Sequence, residues 1–205
     1  STDPDDFIYP RAFGQDAAAT ADYVSAVVTA MGETACETGN GAVRIGSVLK
    51  HFPGYGNNVD THTGISVDQR PYETFVASDF LPFSAGIAAG ADCVLVSHNI
   101  VSCMDASLPA SLSPEVHRIL REELGFPGVI LTDDLAMDAV AAYAEDGSVA
   151  VLAVLAGNDM IITTDYRTQI PLVIAAVEDG AIDESLIDDA VVRVLTWKHD
   201  LGLIG

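Results

Sequence analysis

Short runs of apolar residues, separated by longer stretches with helical periodicity, are the feature of this sequence that most restricts its fold. The runs lie at residues 45–52, 92–98, 128–133 and 159–163. Strands that are apolar throughout and are separated by helices indicate a parallel sheet that is covered on both faces. The sequence therefore predicts an α/β fold, either a (β/α) barrel or a doubly wound sheet.

Helices are predicted between these strands from periodicity and from capping residues. Their ranges are 15–34, 72–90, 113–125, 147–156, 167–179 and 184–201. Ser113 is the expected N-cap of the third helix, with Pro114 at its first position, and Asp183 is the expected N-cap of the last. His117 and His199 are expected on helix surfaces, and a fifth strand is indicated near Phe13.

Polar side chains follow the predicted strands, beginning with His51, Ser97-His98-Asn99 and Asp133-Asp134. Active sites of parallel α/β proteins lie at the carboxyl ends of the strands. Several strands with polar groups at the same end favour a barrel over a flat sheet. A closed barrel needs eight strands, so we expect residues 1–205 to form one partial (β/α)8 domain that lacks the N-terminal strands.

The charge of the chain limits its partners. Thirty acidic and nine basic residues give a formal net charge of −21, which repels phosphate backbones and anionic lipid head groups. We therefore expect neither nucleic acid nor membrane as a partner, and residues 1–20 contain no signal-peptide core. Three cysteines cannot form a complete disulfide set, which slightly favours the cytoplasm, although secretion or a cell-surface location stays open.

The densest group of chemically active residues follows the first predicted strand. Lys50–Gly56 reads KHFPGYG, and Asp60-Thr61-His62 comes shortly after it. A carboxylate two residues from a histidine in a loop can hold one imidazole nitrogen and orient the other. With a pKa near 6.5, such a histidine can donate and recover a proton at neutral pH. The alternative is a loop histidine beside a turn aspartate.

A second motif, Thr132–Met137, follows the third strand and reads TDDLAM. A carboxylate at a barrel mouth is costly to bury unless it is hydrogen-bonded or used chemically. Asp133 directly continues the strand, whereas Asp134 suits a helix N-cap. Asp133 as a nucleophile and His62 as a proton donor would make the minimal set for glycosidic bond cleavage with retention.

These two motifs in this order, together with Arg11–Gly14 (RAFG), resemble glycoside hydrolase family 3. The similarity is greatest to bacterial β-N-acetylglucosaminidases of that family. It runs from about residue 7 to the C-terminus and covers the later strands of the family's barrel. It implies that Asp133 is the nucleophile and that His62, polarised by Asp60, is the general acid/base. The residues that it implies as hydrogen-bonding partners of the sugar are Lys50, His51 and Arg11.

Two further residues concern the pocket around the sugar. His98 ends a predicted strand at the same face and either lines this pocket or has a structural role. Tyr55 departs from the family pattern, in which histidine or arginine is usual at this position. The resemblance implies no metal and no other cofactor. The predicted substrate is a β-N-acetylglucosaminide.

The resulting prediction is a retaining exo-β-N-acetylhexosaminidase, and three alternatives stay open. The first is another activity of the same family: phosphorolysis of the same glycosides, because a neutral histidine repels phosphate less than a glutamate does, or hydrolysis of other β-glycosides. The second is a metal-dependent hydrolase using His51, Asp60, His62 and Asp133, for which the adjacent Lys50 is unfavourable. The third is a catalytically incomplete fragment that associates with its missing half or a second copy through exposed sheet edges.

Overall fold

A computed structural model describes residues 3–38, 41–61, 64–143 and 149–205. The strands of these residues are β1 (Ala35–Thr38), β2 (Gly41–Arg44), β3 (Val48–Phe52), β4 (Val67–Asp68), β5 (Cys93–Val96), β6 (Ile100–Val101) and β7 (Val129–Thr132). The helices are α1 (Ala17–Glu33), α2 (Tyr72–Thr74), α3 (Phe80–Ala88), α4 (Pro114–Arg118), α5 (Asp138–Ala141), α6 (Val149–Ala156), α7 (Tyr166–Glu178) and α8 (Glu184–Asp200). Of these helices, none is long and apolar enough to cross a membrane.

The central sheet is parallel and has the strand order β3-β5-β7. Its register aligns Phe52, Val96 and Thr132 at the carboxyl ends of the three strands. Every residue of β5 is buried, as its apolar composition requires. The predicted α/β class with parallel strands is confirmed. Within the described residues β3 forms one edge of this sheet, and the expectation that further N-terminal strands are missing stays a prediction.

The prediction of a regular strand at residues 159–163 is wrong. The segment lies beside β7, but only Met160 pairs with Leu131, in a single parallel bridge. The N–H groups of Asp159 and Met160 both donate to the carbonyl of Ile130, at 2.8 and 3.1 Å. Two successive N–H groups that share one acceptor break the repeat on which a parallel ladder depends.

The N-terminal part of the chain differs from the prediction in two ways. The strand indicated near Phe13 is absent: Tyr9–Arg11 form a 3-10 turn in which Pro10 restricts the backbone, and the Phe13 side chain is 75% exposed. An antiparallel pair, β1 and β2, follows α1 and was not predicted. Residues 35–37 of β1 are exposed, β2 is exposed or partly buried, and neither strand has the apolar run that identified the central strands.

The predicted helices are confirmed within the described residues, with local irregularities; residues 147 and 148 of the predicted helix 147–156 lie outside them. Asp16, Ser113 and Asp183 each accept a hydrogen bond from a backbone N–H of the first turn of α1, α4 and α8. The predicted helix 72–90 contains a π-helical turn at Phe75–Asp79, between α2 and α3. Helix α4 continues into a second π turn at Ile119–Glu123. The predicted N-caps Ser113 and Asp183 therefore identified the starts of α4 and α8 correctly from sequence.

The core lies between the sheet and the helices. One cluster of buried residues surrounds Phe52, Phe75 and Phe80, and a second surrounds α6. The prediction that His117 lies on a helix surface is wrong, since it is 3% exposed and its Nδ1 lies 2.8 Å from the Ser113 carbonyl. His199 is on the surface, as predicted. His117 is buried because α4 packs on α6. The periodicity of α4 alone does not show this contact between two helices.

Candidate active site

Hydrogen bonds between the strand ends bring the first loop residues to one edge of the sheet. The N–H of Ser97 donates to the carbonyl of Phe52 at 2.9 Å, and the N–H of Asp133 donates to the carbonyl of Val96 at 3.1 Å. These bonds continue the parallel ladder one residue past β5 and β7. The loops that carry the predicted site residues therefore start side by side at the carboxyl end of the sheet.

The two adjacent aspartates after β7 have different roles. The Oδ1 atom of Asp134 accepts from the N–H groups of Ala136, at 2.9 Å, and Thr164, at 3.3 Å. Asp134 thus stabilises the turn that follows it and bonds to the more distant segment 162–165. It is not a helix N-cap. Asp133 is partly exposed, and its Oδ1 accepts from the N–H of Asp134 at 2.9 Å. Asp133 is therefore the better placed of the two carboxylates to meet a ligand.

His98 lies beneath these aspartates and does not face the solvent. It is fully buried, with Nε2 3.0 Å from the carbonyl of Asp134 and Nδ1 2.7 Å from the Ser111 hydroxyl. Burial lowers the pKa of His98, and the hydrogen bond to Asp134 offsets only part of this. A carbonyl only accepts, so Nε2 donates to it and Nδ1 accepts from Ser111. Both ring nitrogens are used, so the expectation of a direct sugar contact is corrected to a supporting role.

The loop after β3 folds over a buried ion-pair group that was not predicted. The Arg70 guanidinium donates to Asp68, with an Nη2–Oδ2 distance of 2.8 Å, and to Asp79, with an Nη1–Oδ2 distance of 3.0 Å. It lies 4.3 Å from the centroid of the Phe75 ring. Burial lowers the pKa of Arg70, but its hydrogen bonds to the two carboxylates outweigh this and raise it. Asp68 and Arg70, two residues apart in a glycine-rich loop, were the available sequence signal.

Two glycines allow the loop to lie directly on this group. Gly54 has φ +137° and packs so closely on Asp79 that a Cβ atom would overlap its carboxylate. Gly56 has φ +55°, and a Cβ atom there would lie 2.7 Å from Nη2 of Arg70. Both positions require positive φ as well as close approach. The glycines on either side of Tyr55 therefore allow the loop backbone to pack in direct contact with the ion pairs.

Asn58 connects the ion-pair group to the part of the loop that carries Asp60. Its Nδ2 donates to the carbonyl of Tyr55 at 2.6 Å and to Asp68 Oδ2 at 3.1 Å. Its Oδ1 accepts from the Ser66 hydroxyl at 2.8 Å. Asp60 is partly exposed and follows this anchored residue. His62, the predicted acid/base, lies outside the described residues.

Three predicted sugar ligands lie together around one cleft. Lys50 and His51, at the end of β3, and Arg11, at the end of the N-terminal turn, line a cleft of about 670 Å³ with Tyr55. The cleft extends between α1 and the edge of β3. Asp133 does not line it. The described residues thus form two groups, the cleft residues and the carboxylate after β7, at the same end of the sheet.

The described residues contain no group of three or more His, Cys, Asp or Glu side chains that could hold a metal ion. His62, which the metal-dependent alternative includes, lies outside the described residues. The three cysteines are not paired with one another.

Comparison with known proteins gives a consistent family. Residues 1–197 match the glycosyl hydrolase family 3 N terminal domain. A beta-hexosaminidase of Stenotrophomonas maltophilia (strain R551-3) is 42% identical over 131 residues, which are 63% of this chain and 36% of that protein. The chain spans little more than a third of the length of the curated relatives that it matches.

Solved structures give the same result. A glycoside hydrolase family 3 beta-N-acetylglucosaminidase from Paenibacillus sp. str. FPU-7 aligns with a TM-score of 0.74 and 35% identity, over 78% of this chain and 32% of that chain. A beta-glucoside phosphorylase bound to 2FGlc aligns with a TM-score of 0.73 and 25% identity, over 78% of this chain and 31% of that chain.

Proposed function

This chain belongs to glycosyl hydrolase family 3, and we propose that it carries the catalytic residues of a retaining exo-β-N-acetylhexosaminidase. The proposed substrates are glycans with terminal β-linked N-acetylglucosamine. Support comes from similar proteins that are named beta-hexosaminidase and beta-N-acetylglucosaminidase. The observation that carries the proposal is the position of Asp133, which the Val96 carbonyl holds at the end of β7 beside the loops of β3 and β5.

In the proposed mechanism Asp133 attacks the anomeric carbon of the sugar. The bond to the leaving oxygen breaks as His62 donates a proton to it, which gives a glycosyl-enzyme and a free alcohol. His62 then removes a proton from water, and the resulting attack releases the sugar and restores the Asp133 carboxylate. Asp60 orients the imidazole in both steps. Two inversions at the anomeric carbon give net retention.

The cleft residues are proposed to bind the hydroxyl groups of a sugar whose anomeric carbon reaches Asp133, at the same end of the sheet but outside the cleft. Lys50, His51 and Arg11 line one cavity, and their side chains carry hydrogen-bond donors for which neutral hydroxyl groups are suitable acceptors. His98 supports the main chain after Asp133 from below. A neutral ligand also avoids the repulsion that the net charge of −21 would impose on an anion.

The described sheet is proposed to be part of a (β/α)8 barrel, with residues 1–205 in one catalytic domain. The parallel order β3-β5-β7, the bridge at Met160 and the helices between them support this arrangement. In such barrels the active site lies where the carboxyl ends of the strands meet. Asp133 and the loop after β3 both lie at this end.

Trapping the covalent intermediate tests the proposal. The protein is treated with a 2-fluoro or other slow β-glycoside, digested, and analysed for the labelled peptide by mass spectrometry. We expect the label on Asp133. A label on Asp134, or no label on either residue, would contradict the assignment of the nucleophile. Asp134 serves as an internal control, because it lies on the same peptide.

Phosphorolysis is the second candidate, and the similarity to a beta-glucoside phosphorylase supports it. The two reactions share the glycosyl-enzyme and differ in whether water or phosphate attacks it. Product analysis with and without inorganic phosphate distinguishes them. A sugar 1-phosphate that forms only with phosphate would favour phosphorolysis, and free sugar at the same rate in both conditions would favour hydrolysis.

A further inference from the structure

Tyr55 lies in the loop after β3, five residues before Asp60. We infer that Tyr55 is a positioning residue whose hydroxyl fixes the backbone on both sides of Asp60. This inference rests on the proposed function, in which Asp60 orients the acid/base. Three observations support it. Tyr55 lines the cleft, its side chain is buried, and its hydroxyl bonds to the residues on either side of Asp60.

The hydroxyl contacts define which atom donates. Tyr55 Oη donates to the carbonyl of Val59 at 3.1 Å and accepts from the N–H of Thr61 at 3.2 Å. Its single proton is used for Val59, so the Thr61 hydroxyl, 3.3 Å away, is the donor in the third contact. Val59 and Thr61 directly flank Asp60. One oxygen atom therefore holds the preceding carbonyl and the following amide of the same short segment.

The ring that carries this hydroxyl is held from several directions. It contacts Phe7, with ring centroids 5.9 Å apart, and lies edge-on to His51, with centroids 5.6 Å apart. Asn58 bonds to the Tyr55 carbonyl through both its Nδ2 and its backbone N–H. Tyr55 itself is 8% exposed. A ring held in this way gives its hydroxyl a fixed position relative to the end of β3.

The consequence concerns proton transfer more than sugar binding. A misplacement of about 1 Å in a reacting group costs on the order of 100-fold in rate. Without the Tyr55 hydroxyl, the N–H of Thr61 and the carbonyl of Val59 lose a buried partner, and the Asp60 segment shifts. Leaving groups that depart as stable anions need little proton donation, whereas alkyl alcohols need it fully. A positioning defect at Asp60 must therefore depend on the leaving group.

The test compares Tyr55→Phe with wild type in the full chain on two β-N-acetylglucosaminides. For an alkyl glycoside we expect kcat/KM to fall about 10- to 100-fold. For the 4-nitrophenyl glycoside we expect a loss of no more than roughly 3-fold, because its leaving group needs little acid assistance. The matched control is Tyr72→Phe, which removes an exposed hydroxyl bonded to Glu123 at 2.6 Å and should leave both rates unchanged.

A second variant covers the case in which Tyr55→Phe fails to fold. Thr61→Val removes only the third hydroxyl contact and should show the same leaving-group dependence with a smaller loss. Equal losses for the two substrates, or no loss for either, would overturn the inference. Asp133→Asn, measured in parallel, tests the proposed function separately: if it retains turnover, the proposed function fails whatever Tyr55→Phe does.

Discussion

The backbone N–H of Asp133 donates to the carbonyl of Val96 at 3.1 Å, so the first residue after β7 is held against the last residue of β5. This bond fixes the Asp133 backbone, and the hydrogen bond that the carboxylate itself accepts, from the N–H of Asp134, can also be accepted by an asparagine side-chain oxygen. We therefore expect Asp133→Asn to lower turnover on the order of 1,000-fold or more. The unfolding free energy should change by less than about 0.5 kcal/mol. Steady-state kinetics and urea unfolding measure the two effects.

Asp134→Ala should affect stability more than turnover, the opposite of Asp133→Asn. Its carboxylate accepts from the backbone N–H groups of Ala136 and Thr164. Removing it should lower the unfolding free energy by about 1–2 kcal/mol while turnover remains measurable. If Asp134→Ala abolished turnover and Asp133→Asn did not, the two assignments would have to be exchanged.

Gly54→Ala should be much more destabilising than a glycine substitution at an open position. At Gly54 a methyl group would meet the carboxylate of Asp79 as well as require positive φ. At Gly180, which has φ +75° and no neighbouring atom within 4 Å, only the backbone strain applies. We expect losses of about 3 and about 1 kcal/mol. If the two variants lost similar amounts of unfolding free energy in urea unfolding, the loop would be able to move away from Asp79 at little cost.

Asp159 is expected to be essential for stability although it lies outside the candidate site. Its carboxylate is 2% exposed and accepts from Arg121 at 2.5 Å, Arg193 at 2.9 Å and the N–H of Ile130 at 2.8 Å. Asp159→Ala leaves three donors without this acceptor and should cost about 3 kcal/mol.

Thermal unfolding measures the effect of Asp159→Ala, with Glu115→Ala as the control. Glu115 pairs with Arg118 on the surface, where solvent screens the pair, so its removal should leave the midpoint unchanged. A small shift for Asp159→Ala would mean that Arg121 and Arg193 find other partners.

His117 should make the protein less stable in mild acid. Burial lowers the pKa of His117 in the folded state, whereas in the unfolded chain it is near 6.5. Below about pH 6.5 the unfolded state therefore binds more protons, and this contribution to stability is present above that pH and lost as the pH falls.

The pH effect is measured by urea unfolding of wild type and His117→Gln between pH 7.5 and 5. His117→Gln should reduce the pH dependence of the unfolding free energy by up to about 1.4 kcal/mol per pH unit. An identical pH dependence in the two proteins would mean that His117 takes up a proton without unfolding.

Local patterns were sufficient for much of this structure. The apolar runs identified β3, β5 and β7, and the capping residues identified the starts of α4 and α8. The exposed pair β1 and β2 was missed because it has no apolar run. The segment 159–163 was apolar enough to predict a strand, yet its hydrogen bonds do not repeat.

The candidate site likewise has one part that the sequence predicted and one part that it did not. The sequence by itself determined the α/β class and placed Lys50, His51 and Asp133 at strand ends, because strand length and apolar content are local properties. Only the tertiary structure decided that His98 is buried, that Asp134 holds a turn, and that Tyr55 is bonded around Asp60. These roles depend on burial and on contacts between separate segments of the chain. Such contacts follow from packing, which periodicity within one segment does not record.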